Sequence, residues 1–343
     1  MIRVGRPLVY LFLGTLAFTG LTLVIGLIHL LRDLLLFVQF LLPSKALADA
    51  LVLPPALNFN GIWFFFALYY FFIIAPVGIS ILLLWQFLVR NRPSPWKTPR
   101  PLDWQKEKVA VVLTAYDDEK SIGLAVDEFA PQPGVAQVIV VDNNSKDRTS
   151  EVASAHGAIV VKESQQGYGH ACISGMRWAL QNTDSEIIVL CEGDMTFYGD
   201  DLPKLLPYMA DCDMVVGTRN TRTLTKPGSQ MDWFMTWGNL LLALLIRFRY
   251  WDWSFLGRVQ LTDVGCTFRA IRREALTKII DKLEVGGHHF SPHMILVALR
   301  DYLAVVEVPI KFRQRVGISK GAGGDRIKAV RVGLAMVGSI AVH

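Results

Sequence analysis

Two long apolar runs without a formal charge constrain most strongly what this chain can fold into. They extend over Leu8–Leu31 and Phe59–Val89. Each exceeds the roughly 20 residues that a helix needs to cross the hydrocarbon core of a bilayer. The first run is also too long for the apolar core of a cleaved signal peptide. The sequence therefore predicts a membrane anchor with two transmembrane helices within residues 1–90.

Basic residues flank the predicted spans on their outer sides. Arg3 and Arg6 precede the first span, and four basic residues between positions 90 and 100 follow the second. The connection between the spans holds two, Arg32 and Lys45. Because Lys and Arg are enriched in cytoplasmic loops, we expect both termini and the domain after the second span to lie in the cytoplasm.

Beyond residue 90 the composition changes to that of a globular domain. Of the 35 Lys and Arg and 30 Asp and Glu residues of the chain, only six precede position 90. Several prolines forbid a helix just after the second span, so residues 91–107 are predicted to be an extended linker. The net charge of +5 suits attraction to anionic lipid and phosphate. No motif of a nucleic-acid reader is visible, so no nucleic-acid partner is expected, and the oligomeric state stays open.

Short apolar segments alternate with helical patterns from residue 108 onward. The strand-like segments are Val109–Thr114, Gln137–Val141, Ala158–Lys162, Glu186–Cys191 and Asp213–Gly217. The helical patterns between the first four of them cover Glu119–Phe129, Thr149–His156 and Ala171–Gln181. Continuous apolar strands alternating with helices predict an α/β domain with a mostly parallel sheet flanked by helices.

Acidic residues cluster directly after three of the predicted strands. The chain reads TAYDDE from Thr114, DNNSKD from Asp142 and CEGDMT from Cys191. The carboxyl ends of parallel strands form the ligand-binding edge of such sheets, and like charges gathered there repel without a cation. Glu192 and Asp194 are therefore candidate ligands for a hard divalent ion. A solvated turn is the alternative interpretation of their loop.

Seven segments in this order resemble motifs of family 2 glycosyltransferases, in the branch that acts on polyprenyl phosphates. They read VVLTAYDDEKSI, VIVVDNNSKDRT, QQGYGHACISG, VLCEGDMT, DMVVGTR, DVGCTFRAIRR and VEVPIKFRQRVGISK. The resemblance extends over about residues 108–322. It implies a Rossmann-like GT-A fold for this glycosyltransferase domain.

The resemblance also implies the residues that bind the nucleotide-sugar donor. The residues expected to contact the nucleotide are Ala115, Tyr116, Asp118, Asp142, Asn144, Gly167 and Gly169. Glu192 and Asp194 match the D-x-D motif, which implies that they are catalytic and hold Mg²⁺ or Mn²⁺ on the nucleotide diphosphate. Glu192 stands where that motif has its first aspartate. Glutamate still offers a carboxylate oxygen as a ligand, on a longer side chain.

On the acceptor side the resemblance implies a set of phosphate-binding residues. These are Arg219, Arg313, Arg315, Ser319 and Lys320. Asp263 is a third catalytic candidate, because it matches the segment that lines the acceptor side. A lipid phosphate is already anionic near neutral pH, however, so its transfer does not require Asp263 as a base.

His293 is a further departure from the family pattern. It ends the segment Phe290-Ser-Pro-His293, where members commonly have the glutamate of F-x-x-E. Two interpretations stay open. His293 either supports the active site with a side chain that is only partly charged near neutral pH, or it is packed within its helix.

Two segments near the end of the chain are predicted to lie at the membrane surface. Trp233–Ile246 is apolar over 14 residues, too short to span a bilayer. It predicts an interfacial helix near residues 233–250 that forms part of the opening for a lipid tail, with a buried core helix as the alternative. Residues 323–343 are predicted to form a basic interfacial helix.

Together these features lead us to expect a membrane-bound, metal-dependent, inverting transferase with two spans. Its expected partners are a UDP- or GDP-sugar, a dolichyl or undecaprenyl phosphate that accepts one sugar on the cytoplasmic face, and membrane lipids. One alternative is a processive polysaccharide synthase, although the chain's Arg-Trp pair, Arg177-Trp178, precedes Glu192 instead of following it. The other is a catalytically silent, nucleotide-binding membrane scaffold.

Overall fold

The computed structural model describes residues 99–229, 231–250, 260–317 and 326–342. The two predicted spans, Leu8–Leu31 and Phe59–Val89, and residues 91–98 of the predicted linker lie outside these residues. Among the described helices, none is both long enough and apolar enough to cross a bilayer. The membrane anchor and the orientation of the chain therefore stay predictions.

A seven-stranded mixed sheet forms the centre of the described part, in the order β3-β2-β1-β4-β6-β5-β7. Its strands are β1 Val109–Ala115, β2 Val135–Asp142, β3 Ile159–Lys162, β4 Ile187–Glu192, β5 Met214–Thr218, β6 Arg269–Arg272 and β7 Val305–Pro309. Only β6 runs antiparallel to its two neighbours. The predicted α/β class with a mostly parallel sheet is confirmed for this part of the chain.

The central strand β1 explains why the apolar segments form this sheet. All seven of its residues are buried, and it pairs in parallel with β2 and β4. A strand covered on both faces needs apolar side chains in both directions, which the sequence VAVVLTA supplies. The register brings Ala115 beside Asp142, and Thr114 beside Glu192. The ends of β1, β2 and β4 are thereby aligned at one edge.

Eight α-helices cover the described part of the sheet or extend from it. They are α1 Ile122–Phe129, α2 Thr149–Ala155, α3 Tyr168–Asn182, α4 Leu202–Leu205, α5 Trp233–Arg249, α6 Arg273–Ile279, α7 Phe290–Arg300 and α8 Arg326–Val342. Helix α3 begins three residues before the predicted Ala171. The first backbone N–H groups of a helix lack helical acceptors, and here the carbonyl of Gly286 accepts hydrogen bonds from Gly169 and His170.

The helices α5 and α8 pack against each other and expose apolar side chains. The buried face of α5 carries Asn239, Leu242, Ala243 and Ile246. The exposed apolar residues of the two helices are Trp233, Trp237, Leu241, Leu244, Val330 and Leu334. One face of α5 thus packs on the domain, as the core-helix interpretation required, while the other is open, as the interfacial interpretation required.

Gly175 allows α3 to lie directly on the sheet. A β-carbon at this position would lie 2.4 Å from Val112 Cγ1 and 2.5 Å from Val141 Cγ2. Both valines are completely buried in β1 and β2 and have no room to move. Any side chain at residue 175 would therefore push the helix away from the sheet edge that carries the acidic loops.

We expect Gly175→Val to lower the free energy of unfolding by about 2–3 kcal/mol, the usual range for overpacking a core. Denaturant unfolding of the full chain in detergent measures this loss. Ser174→Val, on the same helix at a half-buried site, serves as the matched control. Equal stability of the two variants would contradict the close packing of α3.

Candidate functional site

A cavity of about 700 Å³ lies at the aligned ends of β1 and β4. At this end it is lined by Thr114, Ala115 and Glu192 from the strands and by Asp194 from the loop after β4. Open parallel sheets bind ligands at this edge because the loops there diverge and leave a crevice. The cavity therefore occupies the position that the sequence predicted for the site.

The three acidic loops at this edge share an unusual backbone feature. Each holds one non-glycine residue in the left-handed region: Asp117 with φ 48°, Asn144 with φ 67° and Met195 with φ 65°. Such conformations are disfavoured for residues with a side chain and persist where surrounding contacts hold them. The loops are thus tightly turned, and their acidic side chains stay close to the strand ends.

Glu192 and Asp194 both line the cavity, as predicted. Asp194 is 2% exposed, and its Oδ1 accepts a hydrogen bond of 3.0 Å from the Thr196 backbone N–H. Burial, followed by the neighbouring charge of Asp194, raises the pKa of Glu192 well above its ordinary value. Without a further positive group, a negative charge on Glu192 beside Asp194 is therefore unfavourable.

Arg315 supplies the nearest positive charge. Its guanidinium lies between two carboxylates, with Nη2 2.7 Å from Asp118 Oδ1 and Nη1 3.2 Å from Asp194 Oδ2. The arginine is 12% exposed at its side chain and lines the cavity. The structure thus brings Asp118, Asp194 and Arg315 together from three distant parts of the chain.

Arg219 provides a second fixed guanidinium in the cavity wall. Its Nε and Nη2 donate to the two carboxylate oxygens of Asp263 at 2.7 and 2.8 Å. Asp263 is completely buried behind this arginine and is not among the cavity-lining residues. In this arrangement the Asp263 carboxylate orients Arg219, and its expected catalytic role on the acceptor side stays a prediction.

Glu307, which the sequence did not single out, holds the other side of this pair. Its carboxylate accepts from the backbone N–H groups of Thr262 and Asp263 at distances of 2.8 to 3.0 Å. Burial raises its pKa, while these hydrogen bonds act in the opposite direction. The sequence signal for this residue was a single charged side chain within the apolar strand segment VVEVP.

The predicted nucleotide-binding residues divide into two groups. Four of them line the cavity: Ala115, Tyr116, Asp118 and Gly167. The other three, Asp142, Asn144 and Gly169, are described but do not line it. Gly169 packs instead against the backbone of residues 285–286, where an added β-carbon would lie 2.0 Å from the Val285 carbonyl oxygen.

Asp142 is held inside the protein by its own neighbours. It is 1% exposed, and its carboxylate accepts from the Ser145 N–H at 2.9 Å, from Lys162 Nζ at 2.9 Å and from the Ser150 hydroxyl. Burial opposes its ionisation, but the hydrogen bonds from Lys162, Ser145 and Ser150 outweigh burial and lower its pKa to about 2. These contacts hold Asp142 behind the loop, and its expected contact with the base or ribose stays a prediction.

Asn143 takes the place in the cavity wall that was expected of Asp142. Its Oδ1 accepts from the Gly167 N–H at 2.8 Å, and its Nδ2 donates to the Gln165 carbonyl at 2.7 Å. The amide thus joins the loop after β2 to the loop before α3. The sequence gave a signal only through Asn143-Asn144, which replaces the aspartate-glycine of the family pattern.

Arg313 is not among the residues that line the cavity, and its expected contact with the acceptor phosphate stays a prediction. Its guanidinium pairs with Glu128, donates to the Phe197 carbonyl at 2.9 Å and stacks 4.0 Å from the centre of the Tyr198 ring. Arg313 and Arg315 are two residues apart, a spacing that places both side chains on the same side of an extended strand. Residues 311–317 are irregular instead, so the spacing did not show that the two arginines have different surroundings. Ser319 and Lys320 lie outside the described residues.

His293 is packed inside α7. It is 1% exposed, does not line the cavity, and its Nε2 accepts a hydrogen bond of 3.3 Å from the Glu284 N–H. Accepting at this nitrogen requires the neutral ring. The structure therefore favours the packed histidine over a retuned active-site group.

Comparison with known proteins relates this arrangement to a family. Residues 110–280 match the model described as glycosyl transferase family 2. Dolichyl-phosphate hexose transferase of Haloferax volcanii is 34% identical over 64% of this chain and 91% of its own length. Undecaprenyl-phosphate mannosyltransferase of Micrococcus luteus is 28% identical over 63% of this chain and 88% of its own length.

A solved structure shows the same fold. Glucosyl-3-phosphoglycerate synthase of Mycobacterium tuberculosis, in complex with Mn²⁺, UDP and phosphoglyceric acid, superimposes with a TM-score of 0.52. The alignment covers 73% of this chain and 84% of that chain at 20% sequence identity.

The low pKa of Asp142 makes its contribution to stability depend on pH. Because the folded-state pKa lies below the ordinary value, the stabilisation is present above about pH 4 and is lost as the pH falls toward 2. We expect the advantage of the wild type over Asp142→Asn in free energy of unfolding to shrink by about 1 kcal/mol between pH 6 and pH 3. Denaturant titrations at the two pH values measure it; parallel pH curves would contradict the assignment.

The contacts of Arg313 predict a loss of stability when it is replaced. Arg313→Met should lower the free energy of unfolding by about 2–3 kcal/mol, because it leaves Glu128 and two backbone carbonyls without their donor. Arg300→Met, at an exposed position on α7, is the matched control. Wild-type stability of Arg313→Met, combined with a weaker apparent affinity for the acceptor, would restore the phosphate role and reject the structural one.

Proposed function

This chain belongs to glycosyl transferase family 2, and from that premise we propose that it transfers one sugar from a UDP- or GDP-sugar to a polyprenyl phosphate. The acceptor is of the dolichyl or undecaprenyl type, in accord with the names of the relatives. Transfer inverts the anomeric carbon and takes place at the cytoplasmic face of the membrane. The catalytic domain is held there by the two predicted spans of residues 1–90.

The single observation that carries this proposal is the change in character along one cavity. Its polar end is lined by Glu192, Asp194 and Arg315, whereas its other end runs between α5 and α8. The apolar residues there include Phe234, Met235, Leu241, Leu242, Val330, Val332, Leu334, Met336 and Val337. A nucleotide sugar has no apolar part that would fill this end. A lipid phosphate has both a charged head and an apolar tail, so it matches the whole cavity.

The donor set at the polar end fits a divalent cation. Among the described residues no group of three or more His, Cys, Asp or Glu side chains is placed to hold a metal ion alone. Mg²⁺ in phosphate-transfer sites is commonly held by one or two carboxylates together with substrate phosphates, and Mn²⁺ also favours oxygen ligands. Glu192 and Asp194, which both line the cavity, supply two such carboxylates.

Each polar group of the cavity then has a task in the transfer. The bound cation would stabilise the negative charge that develops on the departing nucleoside diphosphate. Arg219, oriented by Asp263, presents its guanidinium toward the acceptor phosphate, and Arg315 keeps the acidic loops together beside the donor. The acceptor oxygen is already anionic near neutral pH, so it attacks the anomeric carbon without giving up a proton.

We expect the purified full chain to form a glycosylated lipid from undecaprenyl or dolichyl phosphate. The reaction contains MnCl₂ or MgCl₂ and a panel of UDP- and GDP-sugars. Mass spectrometry should show the lipid phosphate with one added sugar, accompanied by release of UDP or GDP. Transfer to a saccharide or a protein alone, or a polymer of many sugars on one lipid, would reject the proposal.

A variant pair makes this assay specific for the acidic site. Asp194→Asn should lower kcat/KM by about 100-fold or more, as is usual when a group that stabilises transition-state charge is lost. It should also abolish the gain in UDP or GDP affinity that Mn²⁺ confers in calorimetry. Asp281→Asn, at an exposed surface ion pair with Arg177, is the control. A scaffold without activity would show neither lipid product nor a metal-dependent gain.

A further inference from the structure

Asn239 is a buried polar residue on the apolar face of α5. It is 6% exposed, and its neighbours on that buried face are Leu242, Ala243 and Ile246. No hydrogen bond joins its side-chain amide to another residue within the part of the chain that the structure describes. The residue lines the cavity, so the amide faces the open space there. The amide is therefore accessible to a ligand from the cavity.

The side-chain amide of Asn239 and the guanidinium of Arg219 both lie close to Gly265. A β-carbon at residue 265 would lie 2.8 Å from Asn239 Oδ1 and 3.1 Å from Arg219 Nη2. Glycine permits this close approach, and all three residues line the cavity. Asn239 Oδ1 and Arg219 Nη2 therefore lie within about 6 Å of each other, close enough for one phosphate group in the cavity to contact both side chains.

Thr267 adds a second polar group that has no partner. It is 6% exposed and lines the same cavity, and its hydroxyl makes no hydrogen bond with any residue in the described ranges. Because the Thr267 hydroxyl is itself enclosed, the Asn239 amide and the Arg219 guanidinium are the polar groups that this part of the largely apolar wall offers to a ligand. This is the composition expected of a site for a charged head group.

The residues near Asn239 and Arg219 indicate which part of a ligand binds there. Gly238, which precedes Asn239 on α5, and Gly333 on α8 both line the cavity, and a β-carbon at either position would have nothing within 4 Å. Neither glycine is therefore required by contacts with the described protein, although glycine is a weaker helix former than alanine. Both leave open space in the cavity beside the apolar residues of α5 and α8.

We propose that Asn239 is a binding residue for the acceptor phosphate, at the junction where the isoprenoid tail leaves the polar end of the cavity. The amide donates a hydrogen bond from Nδ2 to a phosphate oxygen that Arg219 also contacts. The side-chain amide can present either its oxygen or its nitrogen by a half turn, so the orientation with Nδ2 toward the phosphate requires no movement of α5. This assignment rests on the proposed function and adds a residue that selects phosphate over an uncharged lipid head.

The test compares two lipids that differ only in the head group. Binding of a short polyprenyl phosphate and of the corresponding polyprenol to the full chain in detergent is measured without donor. Asn239→Leu, of similar size, should weaken binding of the phosphate by about 10- to 100-fold, the loss expected for one hydrogen bond to a charged group. Binding of the polyprenol should change by less than about twofold, because its hydroxyl makes no comparable charged contact.

Two further variants separate phosphate recognition from packing. Asn182→Leu replaces an exposed asparagine near the end of α3 and should bind both lipids as the wild type does. Asn239→Asp keeps the shape of the side chain and introduces a negative charge; it should also reduce the preference for phosphate over alcohol. That variant remains informative if Asn239→Leu does not fold.

The outcomes distinguish this inference from the proposed function. If the wild type forms no glycosylated lipid but the phosphate preference depends on Asn239, the proposed transfer fails and the binding residue stands. If both Asn239 variants retain the wild-type preference for phosphate, the role of Asn239 is overturned whether or not transfer occurs. Equal weakening toward both lipids would also overturn it, because that result indicates packing alone.

Discussion

Compensation of the negative charge at the ends of β1 and β4 is the constraint on which the rest of this structure depends. Asp118 and Asp194 are both buried, and buried carboxylates that share one site repel unless a positive group lies between them. Arg315 fills that position from a segment almost 200 residues away in sequence from Asp118. The segment after β7 must therefore return to the sheet edge. The Val316 N–H donates to the Asp194 carbonyl, and Arg313 fixes the same segment to Glu128.

A second buried ion pair divides the cavity into its two ends. Asp263 holds Arg219 by two hydrogen bonds, and Glu307 in turn holds the backbone of Asp263. A guanidinium fixed in this way loses little conformational entropy when it binds an anion. Arg219 lines the cavity together with the acidic loops and with apolar side chains of α5 and α8. A charged head group is therefore expected at this guanidinium, with an apolar tail along the two helices.

The sequence indicated those parts of the fold and the site whose physical cause is local. The strands β1, β2 and β4 were visible because burial on both faces demands continuous apolar residues, and the acidic loops after them were visible because like charges rarely cluster without a reason. The strand β6 was not visible, because two of its four residues are arginines that become buried by donating to backbone carbonyls, among them those of Ser291 and Ala210. Such partners come from distant segments and leave no periodic pattern. Asn143 and Asn239 were missed for a related reason: an uncharged amide gives no charge pattern, and only its surroundings show what it binds.

The distribution of carboxylates in the cavity bears on the class of acceptor. A sugar or protein hydroxyl must lose a proton as it attacks, so its transfer needs a carboxylate with a free oxygen near the acceptor. Three carboxylates line the described cavity: Asp118 is bound by Arg315 and by the Tyr116 N–H, and Glu192 and Asp194 would hold the cation of the proposed function. Asp263, the fourth acid of the region, is fully engaged by Arg219. An acceptor that is already anionic needs no such base, and the Arg219 guanidinium in the cavity wall supplies the positive charge that a phosphate requires. The charges of the cavity therefore favour a phosphate acceptor independently of its apolar end.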